Sequence, residues 1–330
     1  MMRRPIHLIL DWDGTLTKRD TLVLVSRIGY RRHAGDSETD IPPWITFGEA
    51  WMNDFKKHSQ QYTPAAAQRQ TVQQERQWLQ SLHPVESNSA ARVQSSGLFK
   101  GVKADDIDGA ANSYVRDGEL QLRTGWDELM QEVLRPNENP EGNYEKPSAS
   151  GSGTDGPRGE VSILSVNWSR RFIRSSLLAA ATSIPENGEG SLPTYIKDRM
   201  TISANEMLKS LDSQQSDKVE KEIRTSADKL SHMPQRCQET LFSGTYREPM
   251  DGEPFVIYVG DSATDLECLL AADLGICVRD EPMGSTQKEL AETLRRLDIP
   301  SRHVAEPSTR DPRHRLCWAS NFEEIRRSMG

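Results

Sequence analysis

The sequence is poor in cysteine: Cys237, Cys268, Cys277 and Cys317 are its complement in 330 residues, and no two form a CxxC pair. A disulfide framework or a thiolate zinc site is therefore not expected; reduced, packed thiols are. No apolar run approaches the roughly 18 residues of a membrane-spanning helix, so no membrane partner is expected. The basic start MMRRPIHLIL reaches its first acid after too few apolar residues for a secretory signal. A cytoplasmic protein is the expectation, with the nucleus also open. A cationic excess is missing too: 41 Lys+Arg stand against 49 Asp+Glu, net -8. That balance speaks against a nucleic-acid surface but leaves room for a local basic pocket that takes one phosphate. With 35% apolar residues and a mean hydropathy of -0.68, the chain is soluble in character and carries polar, poorly packing stretches. Neither GxxxxGK[ST] nor GxGxxG occurs, and the seven histidines show no HExxH spacing.

What is present is a set of short apolar runs that end in polar residues. Ile6–Leu10 runs into Asp11, Val161–Leu164 into Ser165, and Phe255–Val259 into Gly260 and Asp261. A helical pattern follows the last two, at Phe172–Ala181 and Leu266–Ala272. Strand–loop–helix repetition predicts a parallel sheet covered by helices, with its ligand site beyond the carboxyl ends of the strands.

Between Thr17 and Val161 the pattern is different. Trp44, Phe47, Trp51 and Phe55 recur at helical spacing, as do Trp78, Leu79 and Leu82, then Trp126, Leu129 and Val133. These predict a mostly helical insertion after the first strand, its tryptophans serving as core. The stretch from Pro136 to Glu160 is rich in Pro, Gly, Ser and Asn and reads as a flexible linker. Shorter loops are expected at Pro185–Pro193 and Ser243–Pro254, and Trp318–Phe322 is expected to pack on the core.

The acids at the strand ends carry the chemistry. Asp11 and Asp13 stand two apart in an extended segment, so their side chains face one space, and Gly14 lets the chain turn behind them. Two carboxylates so close repel unless a cation lies between them or one is protonated. Far along the chain, Asp265 lies one helical turn beyond Asp261, so both can look back at the same strand ends. An all-carboxylate donor set suits a hard cation, and Mg²⁺ fits best because it accepts carboxylates, waters and a substrate phosphate together. A calcium loop beginning at Asp11 fails on the letters, since Leu16 and Leu22 occupy its required Gly and Glu positions.

With DWDGTLT at Asp11–Thr17, ILS at Ile163–Ser165, a lysine upstream of the last of these strands and GDSATD at Gly260–Asp265, the sequence resembles the haloacid dehalogenase (HAD) superfamily of phosphohydrolases. The resemblance implies an α/β Rossmann-like core with a mostly helical cap inserted after the first strand. It divides the chain into core at 1–17, cap at 18–135, linker at 136–160 and the remaining core at 161–330. It also implies a Mg²⁺-dependent phosphatase acting on a small phosphorylated metabolite. Asp11 would be the nucleophile that forms an aspartyl-phosphate, and Asp13 the general acid and then base. The metal would be held by Asp11, the Asp13 backbone carbonyl and Asp261, with Asp265 as a further candidate. Ser165 and a lysine would hold the phosphoryl oxygens. Lys229 is the expected lysine, because Thr225–Asp228 reads as a helix start that aims it at an anion, and Lys218 is the alternative. Asn167 and Trp168, just past the second motif, are candidate substrate contacts. Packing or a turn is an equal reading for both, and the arginines 170, 171 and 174 behind them are expected to face solvent.

Two further readings stay open: a catalytically silent binding or regulatory protein with this fold, and a phosphotransferase. Carbon–halogen cleavage is disfavoured, since Asp13 is present where the dehalogenase branch lacks that acid. The segments ILSVNWSRRFIRSSL, ISANEM and IRTSADKL are also similar to the phosphatase domain attached to plant TenA-like proteins, which hydrolyses thiamine monophosphate. This makes thiamine monophosphate a candidate substrate. The cap that would choose the substrate is long and divergent here.

Overall fold

The computed structural model describes residues 4–35, 40–134, 159–184, 191–207, 222–306 and 315–329. Most of the expected linker, much of the loop at 185–193 and Lys218 lie outside the described residues. Among the described residues, seven strands form one parallel sheet: β1 (Ile6–Leu10), β2 (Gly159–Leu164), β3 (Thr201–Ser203), β4 (Phe255–Gly260), β5 (Leu274–Val278), β6 (Arg302–His303) and β7 (Leu316–Ala319). Their order is β3-β2-β1-β4-β5-β7-β6. The α/β Rossmann-like core expected from the sequence is what the chain adopts. Two boundaries move. Gly159 and Glu160, read as linker, already belong to β2, where Gly159 pairs with Ile6. Pro193, read as loop, sits in the first turn of a helix, where its missing N–H costs nothing.

The adjacent central strands β1 and β4 are largely apolar because both of their faces are buried. Leu8 and Leu10 enter one core and Ile9 the other, as the two-residue alternation of a strand demands. Tyr258 likewise opposes Val259. Each such aliphatic side chain contributes about 1.5–3 kcal/mol by leaving water.

Between β1 and β2 the described elements longer than a turn are all helices. They are α1 (Leu22–Arg32), α2 (Trp44–Gln61), α3 (Val72–Ser81), α4 (His83–Ser95), α5 (Ala104–Arg116) and α6 (Trp126–Leu134). After β2 come α7 (Arg170–Thr182), α8 (Leu192–Asp198), α9 (Ser226–Leu230) and α10 (Gln235–Ser243). The last three are α11 (Leu266–Ala271), α12 (Ser285–Arg296) and α13 (Phe322–Met329). Helices α5 and α6 lie directly on the core, α5 against α7 and α6 against β2 and α13. Helix α3 reaches the opposite face, where Trp78 and Leu79 join the core beneath α9 and α11. Two ion pairs hold it there: Arg76 with Glu267 at 2.6 Å and Glu75 with Arg296 at 2.9 Å. Among the described residues, no helix is long and apolar enough to cross a membrane.

The four cysteines are buried free thiols. The tail beyond Pro300 carries more structure than its composition indicates, since its apolar Leu316–Ala319 forms β7, beside β5.

Candidate active site

The register of the sheet brings the polar strand ends level. Leu10 pairs with Ile163 on one side and Val259 on the other, so Asp11 emerges beside Leu164 and Gly260. Asp11 N donates to Val259 O at 2.9 Å, which continues the ladder one residue past the strand. The chain then turns through Trp12–Leu16, with Gly14 at φ +74°. Gly14 is required twice over. Its φ is left-handed, and a Cβ there would lie 2.6 Å from Asp261 Oδ2.

Lys229 lies on α9, which begins at Thr225 with the cap the sequence predicts: the Thr225 hydroxyl accepts from Asp228 N, and Asp228 accepts from Thr225 N. The lysine is fully buried, and its Nζ donates to Asp11 Oδ1 at 2.6 Å and Asp265 Oδ1 at 2.7 Å. Asp265 is fully engaged. Oδ1 also accepts from the Tyr258 hydroxyl at 2.7 Å, and Oδ2 accepts from the backbone N–H groups of Asp261 and Ser262 and from the Ser262 hydroxyl. Five donors exceed the roughly four lone-pair positions of a carboxylate. Gly260 allows this packing, since a Cβ there would meet Asp265 Cγ at 2.4 Å. Asp261 accepts from the Thr15 hydroxyl at 3.1 Å and the Thr286 hydroxyl at 2.9 Å, which leaves lone pairs on both oxygens.

Carboxylate oxygens of Asp11, Asp261 and Asp265 lie within 4.8 Å of one another, all buried. Three carboxylates and one ammonium sum to a formal charge of -2 in a buried site. Burial, then the charge of Asp265, pushes Asp11 well above the usual carboxylate range, against the pull of Lys229. Asp261 rises to about 6, again by burial first and then by Asp265. Burial alone would lower the Lys229 pKa, but the two carboxylates outweigh it and keep the ammonium charged. A hard dication bound through oxygen would neutralise this surplus, so the donor set fits one.

Asp13 does not share this cluster. Although the backbone at 11 and 13 is extended, as the alternation argument requires, the turn carries the Asp13 carboxyl to other partners. Its Oδ1 accepts from Thr21 N at 2.7 Å and the Thr21 hydroxyl at 2.6 Å, and its Oδ2 accepts from Asn167 Nδ2 at 2.8 Å. Burial, helped by the charge of Asp20 and opposed by the Asn167 and Thr21 hydrogen bonds, places its pKa at about 7.

Ser165 is buried at the end of β2, its hydroxyl accepting from Asn167 N at 3.1 Å. Asn167 is thus turned toward Asp13. Trp168 is half-buried in an aromatic group, edge-on to Trp44 and Phe99 at 5.7 and 6.4 Å. Behind it, Arg171 pairs with Asp108 and Arg174 caps the carbonyls of Ile196, Lys197 and Met200, so neither serves only as a solvated charge.

Several groups at the site carry no signal of their own in the sequence. Arg123 is buried and donates to the carbonyls of Gly14 and Thr15 while pairing with Asp280, so it braces the turn beneath the cluster. Thr286 and Thr21 come from segments with no motif. Thr15, Ser262 and Tyr258 lie within or beside the motifs, but single letters do not reveal that they orient carboxylates.

No family model matches the chain. It is 23% identical over 200 residues to the Bifunctional TH2 protein, mitochondrial, of Arabidopsis thaliana, a match that takes in 61% of this chain. The chain spans about a quarter of that protein's length, 25%. Among solved structures it is similar to a phospho-aspartyl intermediate analogue of phosphoserine phosphatase, at a TM-score of 0.41, 14% identity and 98% and 97% of the two chains. A HAD family hydrolase from Salmonella enterica subsp. enterica serovar Typhi gives a TM-score of 0.39, 11% identity and 88% and 67% coverage. The fold assignment rests on the strand order and register, not on these likenesses.

The buried surplus charge has a measurable consequence. A carboxyl whose folded pKa exceeds its unfolded value stabilises the fold fully below the unfolded value of about 3.9, and that contribution is lost as pH rises through the folded pKa. For Asp261 and Asp13 the losses fall near about 6 and about 7. The melting temperature in EDTA is therefore expected to fall between pH 5.5 and 8, and Mg²⁺ to raise it more at pH 8 than at pH 5.5. At 100 times its dissociation constant the ion adds about 2.7 kcal/mol. A thermal melt indifferent to Mg²⁺ at pH 8 would contradict the metal site.

Proposed function

We propose that the protein is a Mg²⁺-dependent phosphomonoesterase of the HAD type that acts on a small phosphorylated metabolite through a phospho-Asp11 intermediate. The observation that carries this is the buried group of Asp11, Asp261, Asp265 and Lys229 at the carboxyl end of the sheet, with Asp13 held separately beside it.

In this reading Asp11 attacks phosphorus as the ester P–O bond breaks, and Asp13 gives its proton to the departing oxygen. Asp13 then takes a proton from water as that water attacks phosphorus and releases Asp11. A pKa of about 7 suits a group that serves in turn as acid and base. Lys229 neutralises Asp11 and stands ready for the charge on the phosphoryl oxygens. Ser165, at the neighbouring strand end, would donate to those oxygens. Mg²⁺, held by Asp11, Asp261 and the Asp13 backbone carbonyl, would offset the charge of phosphate and carboxylates together. The saturation of Asp265 favours a role as the residue that orients Lys229 over a role as metal ligand.

We further propose that the helical segment after β1 acts as the substrate-selecting cap, with α5 and α6 serving as part of the core they pack on. Trp168, with Trp44 and Phe99 behind it, would offer an aromatic wall close to the leaving-group side. Thiamine monophosphate, with two flat rings, suits such a wall, and the similarity to the plant TH2 protein adds weight to that choice. The test is an assay of the purified chain in Mg²⁺ with an aryl phosphate and a panel of phosphorylated metabolites that includes thiamine monophosphate. Hydrolysis with a preference within the panel is expected. Mg²⁺ binding without release of phosphate from any of them would overturn the enzyme reading in favour of a silent binding protein.

A further inference from the structure

The hydrogen bonds around Asp13 have only one consistent direction. Asn167 Oδ1 accepts from Ser169 N at 3.1 Å, and a backbone N–H must meet an oxygen, so the amide orientation is set. Asn167 Nδ2 therefore faces Asp13 Oδ2 at 2.8 Å and the Thr21 hydroxyl at 3.1 Å, and donates to both. Trp12 Nε1, a donor only, gives its hydrogen to the same hydroxyl at 3.1 Å. With both of its lone pairs taken, the Thr21 hydroxyl has one remaining bond to make, through its own hydrogen, and that hydrogen goes to Asp13 Oδ1 at 2.6 Å. The backbone N–H of Thr21 reaches the same oxygen at 2.7 Å.

Asp13 Oδ1 thus receives two donors and has no lone pair left for a proton. Oδ2 receives one, from Asn167, and keeps a position open. We propose that Thr21 is a positioning residue that reserves Asp13 Oδ2 as the oxygen that carries the catalytic proton, by occupying both lone pairs of Oδ1. The inference rests on the phosphatase reading above and specifies its acid–base step. The proton leaves Oδ2 for the ester oxygen as the P–O bond breaks, and Oδ2 takes one back from water in the second displacement. Thr21 never touches the substrate in this scheme. Trp12 and Asn167 matter because they leave the hydroxyl no alternative direction, and both are fully buried. Because Thr21 is also the cap residue of α1, the acid is tied to the point where the helical insertion begins.

Thr21→Val removes the hydroxyl at nearly constant volume and leaves the backbone donor. Oδ1 then competes with Oδ2 for the proton, and the carboxyl loses a restraint. The sensitive quantity is kcat/KM, which reports events up to departure of the leaving group. The alkoxide of an alkyl phosphate such as β-glycerophosphate needs the proton to leave; the p-nitrophenolate of p-nitrophenyl phosphate departs readily as an anion. We expect Thr21→Val to lower kcat/KM about 10- to 100-fold for the alkyl ester, the scale of a misplaced catalytic group, and no more than about 3-fold for the aryl ester. Thr21→Ser should restore the alkyl activity. If valine is not accommodated beside Trp12, Thr21→Ala carries the same expectation. Equal losses on both esters, or no loss on either, would overturn the role of Thr21 while the wild-type activity keeps the phosphatase reading intact. A wild-type protein that releases phosphate in Mg²⁺ from neither ester nor any metabolite of the panel would overturn both; if it acts only on an alkyl phosphate of the panel, that ester takes the place of β-glycerophosphate, and an unchanged kcat/KM in Thr21→Val would overturn the role of Thr21.

Discussion

Asp11→Asn is expected to lower phosphate release by at least about 10⁴-fold, as loss of a nucleophile does in enzymes whose catalytic groups act as a unit. The substitution is close to isosteric, and an amide oxygen can still accept from Lys229 Nζ, which lies 2.6 Å from Asp11 Oδ1. Folding should therefore survive. Burial of the ionised carboxylate is costly, as the upward push on its pKa records, so the neutral amide is expected to leave the metal-free melting temperature unchanged or higher. The two measurements together are what make the result informative. Activity lost with a retained melt assigns Asp11 to the chemistry, whereas a variant that still turns over removes it as the nucleophile.

The second large effect concerns Lys229. Its ammonium is bonded to both Asp11 and Asp265, and it is fully buried. Lys229→Ala leaves two buried carboxylates without their shared cation, the situation that costs about 3–5 kcal/mol when a buried pair is broken. It also removes the positive charge next to the phosphoryl group, worth about 10²–10³ in rate for one electrostatic donor. Both a lowered melt and a collapse in turnover are expected, with the melt recovering partly at pH 5.5, where Asp11, its carboxyl pushed up by burial, can take up a proton. Lys218→Ala should match the wild type in both assays. A larger rate loss from Lys218 than from Lys229 would transfer the phosphate-binding role to Lys218.

These predictions stand on residues of two kinds. Asp11, Asp13, Asp261 and Asp265 were legible because an apolar run that ends in acids is an electrostatic anomaly wherever it occurs, and two such runs invite a shared cation. Lys229 was legible through the Thr-Ser-Ala-Asp start of its short helix. Thr21, Thr286 and Arg123 were not. Each is a common residue in a segment with no pattern, and each acts only because folding brings it against a carboxylate or a turn, Thr21 across 8 residues, Thr286 across 25 and Arg123 across more than a hundred. Arg123, for example, braces the carbonyls of Gly14 and Thr15 across more than a hundred residues.

The fold divides in the same way. Strands β1, β2 and β4 announce themselves as apolar runs because they are buried on both faces. The two-residue β6 and the three-residue β3 at the sheet edges do not, nor does the four-residue β7, since short length leaves little composition to read. The sequence by itself determined that this is an α/β chain whose strands end in a carboxylate site suited to a hard cation. Only the tertiary structure decided where each of the four aspartates is placed. Asp11 and Asp261 face the common space, Asp265 is saturated by five donors behind Lys229, and Asp13 is turned aside to Thr21 and Asn167. The reason is physical. Spacing along a chain sets which way a side chain starts out, but the hydrogen-bond donors that the folded turns and neighbouring strands bring up decide where a buried carboxylate comes to rest.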